Sequence, residues 1–350
     1  MELLCIGDIA IAEEELSGWE WDPPAGLRPG EESKILFNWE LPTGDSMQPQ
    51  PRSSGPRLAA HPEAATVVRK WAPGIAALAT NHILDKGEEG LCATIQALEI
   101  QGFATTGAGS TPETVSAPFI WQTNEGTLAI LNWVFPETHP DWKAIPGPNS
   151  WPGMQAAESI VPALKRSCDW LLAFVHWSDE LFPYPRPEDR KIAAGLARLG
   201  VNAIIGGHPH VVRGMESISG CPVYYSLGNY YFSDFPDRNG GWISRAAPRN
   251  RESLGVKLIF QRGLPIQHQQ FSFWQISANT ILDPKRRAVR RMAWTSRELN
   301  RTRDCEYAAW YQAKRRIFDR WGYRRHFGIW TTGRGGLIRM GSKILARVSR

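Results

Sequence analysis

Residues Ala77–Gly87 read A-L-A-T-N-H-I-L-D-K-G. An apolar run stops at Asn81-His82, and Asp85 and Gly87 follow within five residues. A buried strand that ends on an amide, an imidazole and a carboxylate carries polar groups that are unfavourable to bury without partners. The same motif of apolar run and polar stop recurs along the chain. Leu3–Ile6 runs into Gly7-Asp8, Lys34–Phe37 into Asn38-Trp39-Glu40-Leu41-Pro42, Leu171–Val175 into His176, and Val201–Ile205 into Gly206-Gly207-His208-Pro209-His210.

Each of these runs reads as a strand, as do Ile75–Ala79, Thr127–Phe135 and Val223–Leu227. Helical spacing is expected over Gly87–Gln101, Glu158–Trp170 and Pro187–Leu199, and Ser253–Phe260 with Ile266–Ser277 reads as a late antiparallel pair around Gly263. Residues 43–63, rich in Pro, Ser and Gly, read as a loop. Strands alternating with helices predict an α/β domain whose sheet is largely covered on both faces. By analogy with doubly wound sheets, the ends of such strands bring distant positions together.

The chain has 350 residues, 42% hydrophobic and 21% charged, enough for one large domain with an appendage or for two domains. The N-terminal residues form no basic, apolar leader, and no window holds the roughly 18 uncharged apolar residues of a membrane span. A cytoplasmic protein, peripheral to the membrane at most, is the expectation. Five scattered cysteines (Cys5, Cys92, Cys168, Cys221 and Cys305) give no CxxC pair; they predict mostly core thiols rather than disulfides or a thiolate metal site.

The net charge of +5 conceals two unlike parts. Residues 283–350 hold 19 Lys and Arg against 5 Asp and Glu, whereas residues 1–282 hold 21 against 30. The basic tail predicts a helix from about Ser296 to Trp321, with Trp310, Ile317 and Trp321 on its face and Lys314-Arg315-Arg316 and Arg324-Arg325 continuing the charge. Such a stretch suits an anionic membrane surface or a polyanion. The alternative is a helical cap whose arginines pair with the acidic body. Nucleic acid ranks behind both, because no recognised binding motif accompanies the charge.

The strand ends collect Asp8, Glu40, Asn81, His176, His208 and His210, a set of oxygen and imidazole donors without cysteine. Such a set suits Mn²⁺, Fe or Zn²⁺, and two such ions can share a bridging carboxylate and lower the pKa of a water. Singly, the pieces have plainer readings. Gly7-Asp8 can be a turn, Glu40 a helix cap, and His176 a hydrogen-bonded core histidine. Gly207-His208-Pro209-His210 is the most specific, since two imidazoles at i and i+2 point the same way from an extended backbone. His61, His139, His268 and His326 have no such setting and read as surface or structural.

Taken in order, the blocks resemble the CapA (poly-γ-glutamate synthesis) family of the calcineurin-like metallophosphoesterase superfamily. They are G-D at Gly7-Asp8, N-x-E-x-P at Asn38–Pro42, A-x-N-H-x-x-D-x-G at Ala79–Gly87, H-W-x-x-E at His176–Glu180, G-x-H-P-H at Gly206–His210 and Y-S-L-G-N at Tyr225–Asn229. The resemblance implies a four-layer α/β/β/α metallophosphoesterase-like sandwich over residues 1–282, followed by a basic, partly helical extension over 283–350.

It also implies two divalent metal ions. Asp8 and His210 would hold the first, Asn81, His176 and His208 the second, and Glu40 would bridge them. His82 would act as general acid, with Asp85 orienting it or else capping the helix near Gly87. Asn38 would support the ligands, and Glu180 would orient one or sit at the cleft rim.

The implied activity is hydrolysis of an amide or phosphoester by metal-bound hydroxide, on poly-γ-glutamate or another anionic cell-surface polymer. The alternative is a non-catalytic polymer-binding accessory protein of capsule synthesis. Three departures bear on the site. Ala10 stands where the wider superfamily often has a histidine, Thr80 where the family commonly has asparagine, and Ser178 where it has glycine. Leu181 also replaces a frequent tyrosine.

Overall fold

The computed structural model describes residues 1–12, 20–43, 58–138, 145–236, 242–244 and 247–322. Most of the loop expected over 43–63, together with His139, His326, Arg324 and Arg325, lies outside the described residues.

The near-continuous apolar runs form two mainly parallel sheets, as strands buried on both faces should. The first sheet runs Asn279–Leu282, Gln267–Ile276, Glu252–Ile259, Glu2–Ala10, Ser33–Trp39, Ile75–Ala77, Ala104–Thr106. The second runs Met215–Ile218, Cys221–Tyr224, Ala203–Gly207, Trp170–His176, Gly126–Val134, Phe119–Thr123. Alternation along each strand sends its side chains into two different cores. Leu3, Cys5 and Leu36 meet Ile130, Leu172, Phe174 and Ile205 between the sheets.

Leu4, Ile6, Ile35 and Phe37 point the other way, towards Leu91 and Leu98 of the helix Gly87–Ile100. On the far side, Leu131, Ala173 and Ile204 are covered by Ala157 and Val161 of Met154–Lys165 and by Ala193 and Leu196 of Pro187–Arg198. Helix, sheet, sheet, helix is the expected four-layer order. Each fully buried Leu, Ile or Phe contributes roughly 1.5–3 kcal/mol to holding it.

Three local expectations are corrected. The first strand does not stop at Gly7-Asp8 but runs through to Ala10. Its register slips between Ile6 and Asp8 against one neighbour and between Asp8 and Ile9 against another. Such a bulge re-aims a side chain without ending the strand.

The run Val223–Leu227 is not one strand. Cys221–Tyr224 belongs to the second sheet, and after Gly228 the chain crosses to the first, where Asn229–Phe232 pairs parallel with the end of Glu2–Ala10. The crossing needs glycine at position 7. A Cβ there would lie 1.8 Å from the Gly228 carbonyl oxygen, whose partner is the Asp8 N–H at 3.0 Å. Finally, Trp170 opens a strand instead of closing a helix, which ends at Lys165.

Among its described residues the tail forms two α-helices, Arg287–Arg301 and Asp304–Ile317, interrupted at Thr302-Arg303, in place of the single helix from Ser296. Ala288 and Met292 close one edge of the inter-sheet core, while Leu299, Tyr307 and Tyr311 join the outer core of the second sheet. Arg291 pairs with Glu252, and Arg315 Nη1 and Tyr311 Oη both donate to Asp179 Oδ2, at 2.8 and 2.9 Å. The described helices thus cap the body, with two of their cations, Arg291 and Arg315, paired with its acids. Trp310 stacks edge-on against Tyr184, whereas Ile317 is 61% exposed.

Among the cysteines only Cys5 and Cys221 are buried; Cys92 and Cys305 are exposed and Cys168 is intermediate, so the expectation of mostly core thiols does not hold. No described helix is long and apolar enough to cross a membrane.

Candidate metal centre

The ends of parallel strands from both sheets meet at one place, and the polar stops of the sequence meet with them. Asp8, Asn38, Glu40, Asn81, His82, Asp85, His176 and His208 are all buried. His176 ends its strand facing Asn81, with Nε2 2.9 Å from Asn81 Oδ1 and 3.6 Å from Glu40 Oε1. The rings of His176 and His208 are 4.7 Å apart, and those of His208 and His210 5.7 Å. Donor atoms of Glu40, His176 and His208 lie within 4.8 Å of one another. A short way off, His210 Nδ1 is 3.3 Å from Asp8 Oδ2, which also accepts from the His208 N–H at 3.2 Å.

Asn38 ties the two groups together. Its Nδ2 donates to Asp8 Oδ1 at 2.9 Å and to Glu40 Oε2 at 2.7 Å, and lies 3.3 Å from His176 Nδ1. This carboxamide holds both carboxylates at fixed spacing, the supporting role its sequence position suggests.

His82 and Asp85 form a pair of their own. Asp85 Oδ2 lies 2.6 Å from His82 Nδ1 and also accepts the Leu58 N–H at 2.8 Å. The Nδ1–H of the imidazole therefore points at the carboxylate, which fixes the ring's orientation. Orientation, one of the two roles left open for Asp85, is the geometry seen; the helix Gly87–Ile100 has no side-chain cap.

The backbone beneath is shaped for this. His208 and His210 do not continue the extended backbone expected for them: the strand ends at Gly207, and their φ of +90° and +57° is a left-handed conformation, unfavourable for residues with a Cβ and tolerated where surrounding structure demands it. Gly207 between the sheets has no such option, since a Cβ there would lie 2.7 Å from Asp8 Oδ1.

The departures find local reasons. Thr80 Oγ1 donates to the Glu40 carbonyl at 2.9 Å, so it links the Asn81 turn to the strand end carrying Glu40. Ser178 keeps a φ of +75°, which suits the family's glycine better. It gains partners instead: its N–H donates to Glu137 Oε1 at 2.9 Å and its Oγ accepts from Arg213 at 2.5 Å. Glu180 is exposed.

Electrostatics follow from crowding charges in a buried place. Burial, and then the charge of Asp8, raise the Glu40 carboxyl well above its ordinary range. Burial and neighbouring imidazoles push His176 and His208 well below theirs. At His210 burial opposes protonation, but the hydrogen bond to Asp8 and the charges of Glu40 and Asp8 outweigh it and push the pKa up to about 10.

Among the buried polar atoms without a hydrogen-bond partner in the described residues are Glu40 Oε1, His208 Nδ1 and, beside them, Asn38 Oδ1. Native proteins rarely leave such atoms unmatched. Oxygen and imidazole donors in these numbers fit borderline divalent cations such as Mn²⁺, Fe²⁺ or Zn²⁺. Glu40, Asn81, His176 and His208 would hold one, and Asp8 and His210 another.

Sequence reading missed two residues here. Asn132, inside the apolar run Thr127–Phe135, accepts the Ala79 N–H through Oδ1 at 2.8 Å and donates to the Phe174 carbonyl at 3.0 Å. It therefore pins the Asn81 turn of one sheet to the other. Its signal was a lone amide in an otherwise apolar strand. Asn229, already present in the Tyr225–Asn229 block, lies with Oδ1 2.9 Å from His210 Nδ1.

Comparison with known proteins gives one family match. Residues 31–234 fit the family described as bacterial capsule synthesis protein PGA_cap. The PGA biosynthesis protein CapA of Bacillus subtilis (strain 168) is 28% identical over 185 residues, 51% of this chain and 45% of that protein. The capsule biosynthesis protein CapA of Bacillus anthracis is 27% identical over 205 residues, 57% of this chain and 50% of that one. The chain thus spans about half the length of the curated relatives it matches. Among solved structures, a hypothetical protein from Thermus thermophilus aligns at 13% identity with a TM-score of 0.47, over 79% of this chain and all of that one.

Proposed function

Since this chain belongs to the bacterial capsule synthesis protein PGA_cap family, we propose that it is a metal-dependent hydrolase acting on poly-γ-glutamate or a related anionic cell-surface polymer. The single observation that carries the reading is the donor set of Asp8, Glu40, Asn81, His176, His208 and His210, buried at all but the partly exposed His210, with Glu40 Oε1 and His208 Nδ1 otherwise unmatched among the described residues. Divalent cations held there would supply water of lowered pKa and offset negative charge at the scissile group. That chemistry serves an amide and a phosphoester alike.

The chain's own residues do the rest. Asn38 keeps the two carboxylates from separating, and Asn132 fixes the turn that carries Asn81 and His82. Asp85 holds His82 by Nδ1, so Nε2 is the atom placed to pass a proton to the leaving group. Arg290, Arg297, Arg301 and Arg316 on the two described C-terminal helices, and Arg286 just before the first, stay exposed, a cationic surface suited to a long polyanion or to an anionic membrane face.

The test is turnover of poly-γ-glutamate and of a chromogenic phosphodiester by protein loaded with Mn²⁺, Fe²⁺ or Zn²⁺. His82→Ala should keep its cations and lose about 10²- to 10⁴-fold in kcat, the usual contribution of a positioned acid. Loaded wild-type protein that binds poly-γ-glutamate and cleaves neither substrate would turn the reading to a polymer-binding accessory protein.

A further inference from the structure

Asp8 and His210 alone give a cation two protein donors, and the residue two places beyond Asp8, where the superfamily this chain resembles often has histidine, is Ala10, fully buried and without a polar side-chain atom. The residue beside Asp8 is Asn229. It opens the strand Asn229–Phe232, stands directly opposite Asp8 in the parallel register, and is 2% exposed.

Its Oδ1 is 2.9 Å from His210 Nδ1, and that nitrogen is 3.3 Å from Asp8 Oδ2. Donor atoms around one cation with bonds of about 2.0–2.2 Å are separated by about 3 Å in octahedral and about 3.4 Å in tetrahedral geometry. Both spacings fall in that range. The other position repeats the arrangement, with the Asn81 carboxamide oxygen 2.9 Å from His176 Nε2.

We infer that Asn229, through Oδ1, is the third protein donor of the Asp8–His210 cation position and fills the place left by Ala10. The inference rests on the metal reading above. The fold supplies the means. Asn229 reaches Asp8 only because the chain leaves the second sheet at Leu227 and crosses against Gly7, where a Cβ would meet the Gly228 oxygen at 1.8 Å. A donor lost from the Asp8 strand is thereby regained from the strand paired to it. A neutral carboxamide in place of an imidazole keeps the charge of the position unchanged and presents oxygen, the donor Mn²⁺ and Mg²⁺ prefer.

The experiment strips the full chain of metal, reloads it with Mn²⁺ or Zn²⁺, and measures bound equivalents by elemental analysis and affinities by competition with a chelator. Wild type should take two equivalents, Asn229→Leu one, and His208→Ala should lose the equivalent that Asn229→Leu keeps. Asn229→Asp should take two, with the weaker affinity improved at least tenfold and an altered visible spectrum of the Co²⁺ form. A residue that merely braced His210 would not move those last two readouts.

Two equivalents at wild-type affinity in Asn229→Leu would overturn the inference and leave the metal reading intact. Wild type that takes none would overturn both. If Asn229→Leu fails to fold, Asn229→Asp decides: unchanged affinity and spectrum overturn the inference.

Discussion

Loading cations onto metal-free protein near pH 7.5 should release protons, in an amount the structure sets. His210 lies 3.3 Å from Asp8 Oδ2. Against the opposing effect of burial, the Asp8 hydrogen bond and the charges of Glu40 and Asp8 push its pKa to about 10. About 2.5 pH units below that value, nearly every molecule carries the His210 proton, which a cation must displace to use the ring. Glu40, raised by burial and then by Asp8, can contribute a second proton. His176 and His208, pushed down by burial and by neighbouring imidazoles, are already neutral and contribute none.

The expected release is therefore between about one and about two protons per molecule. The sign follows: only the deprotonated ring binds, so affinity rises with pH up to the His210 pKa and levels off above it. Each released proton makes the gain about tenfold, or about 1.4 kcal/mol, per pH unit. Isothermal titration in Tris and in HEPES, whose ionisation enthalpies differ, gives the proton count directly. Enthalpies that do not depend on buffer, together with a pH-independent affinity, would refute the assignment of His210 and Asp8 to a cation.

Two substitutions probe how the site is held. Arg213 is fully buried and donates to Ser178 Oγ, the Asp179 carbonyl and the Phe182 carbonyl at 2.5, 2.6 and 2.9 Å. Arg213→Met should cost about 3–5 kcal/mol in denaturant unfolding, the range for breaking a buried charged network, and a loss under about 1 kcal/mol would contradict that role. Gly7→Ala puts a Cβ 1.8 Å from the Gly228 oxygen, so it should exceed the ~1–3 kcal/mol of ordinary over-packing and lower bound metal as Asp8 and Asn229 part. Wild-type stability and metal content in that variant would remove the crossing from the explanation.

Much of this was legible because the strands are buried on both faces. Runs such as Leu171–Val175 are continuously apolar, and each stops where its polar residue begins, so strand ends and donor residues could be read together. What escaped depends on partners far away in sequence. The strand through Asp8 continues past the site because Asn229–Phe232 pairs with its end, and local sequence does not announce that partner. Val223–Leu227 reads as one strand since neither glycine nor proline interrupts it; the chain changes sheets there because Gly7 leaves room. Asn132 was hidden inside a run whose other members are core. The helix break at Thr302-Arg303 carries neither glycine nor proline, and it falls where Leu299 and Tyr307 both turn into the same core.

Everything about function rests on cations at the meeting point of the strand ends. Anomalous diffraction from crystals of the protein grown with Mn²⁺ or Zn²⁺ tests that most directly. Two peaks are expected, one among Glu40, Asn81, His176 and His208 and one beside Asp8 and His210. Crystals soaked at millimolar metal that show no peak at these residues would contradict the account.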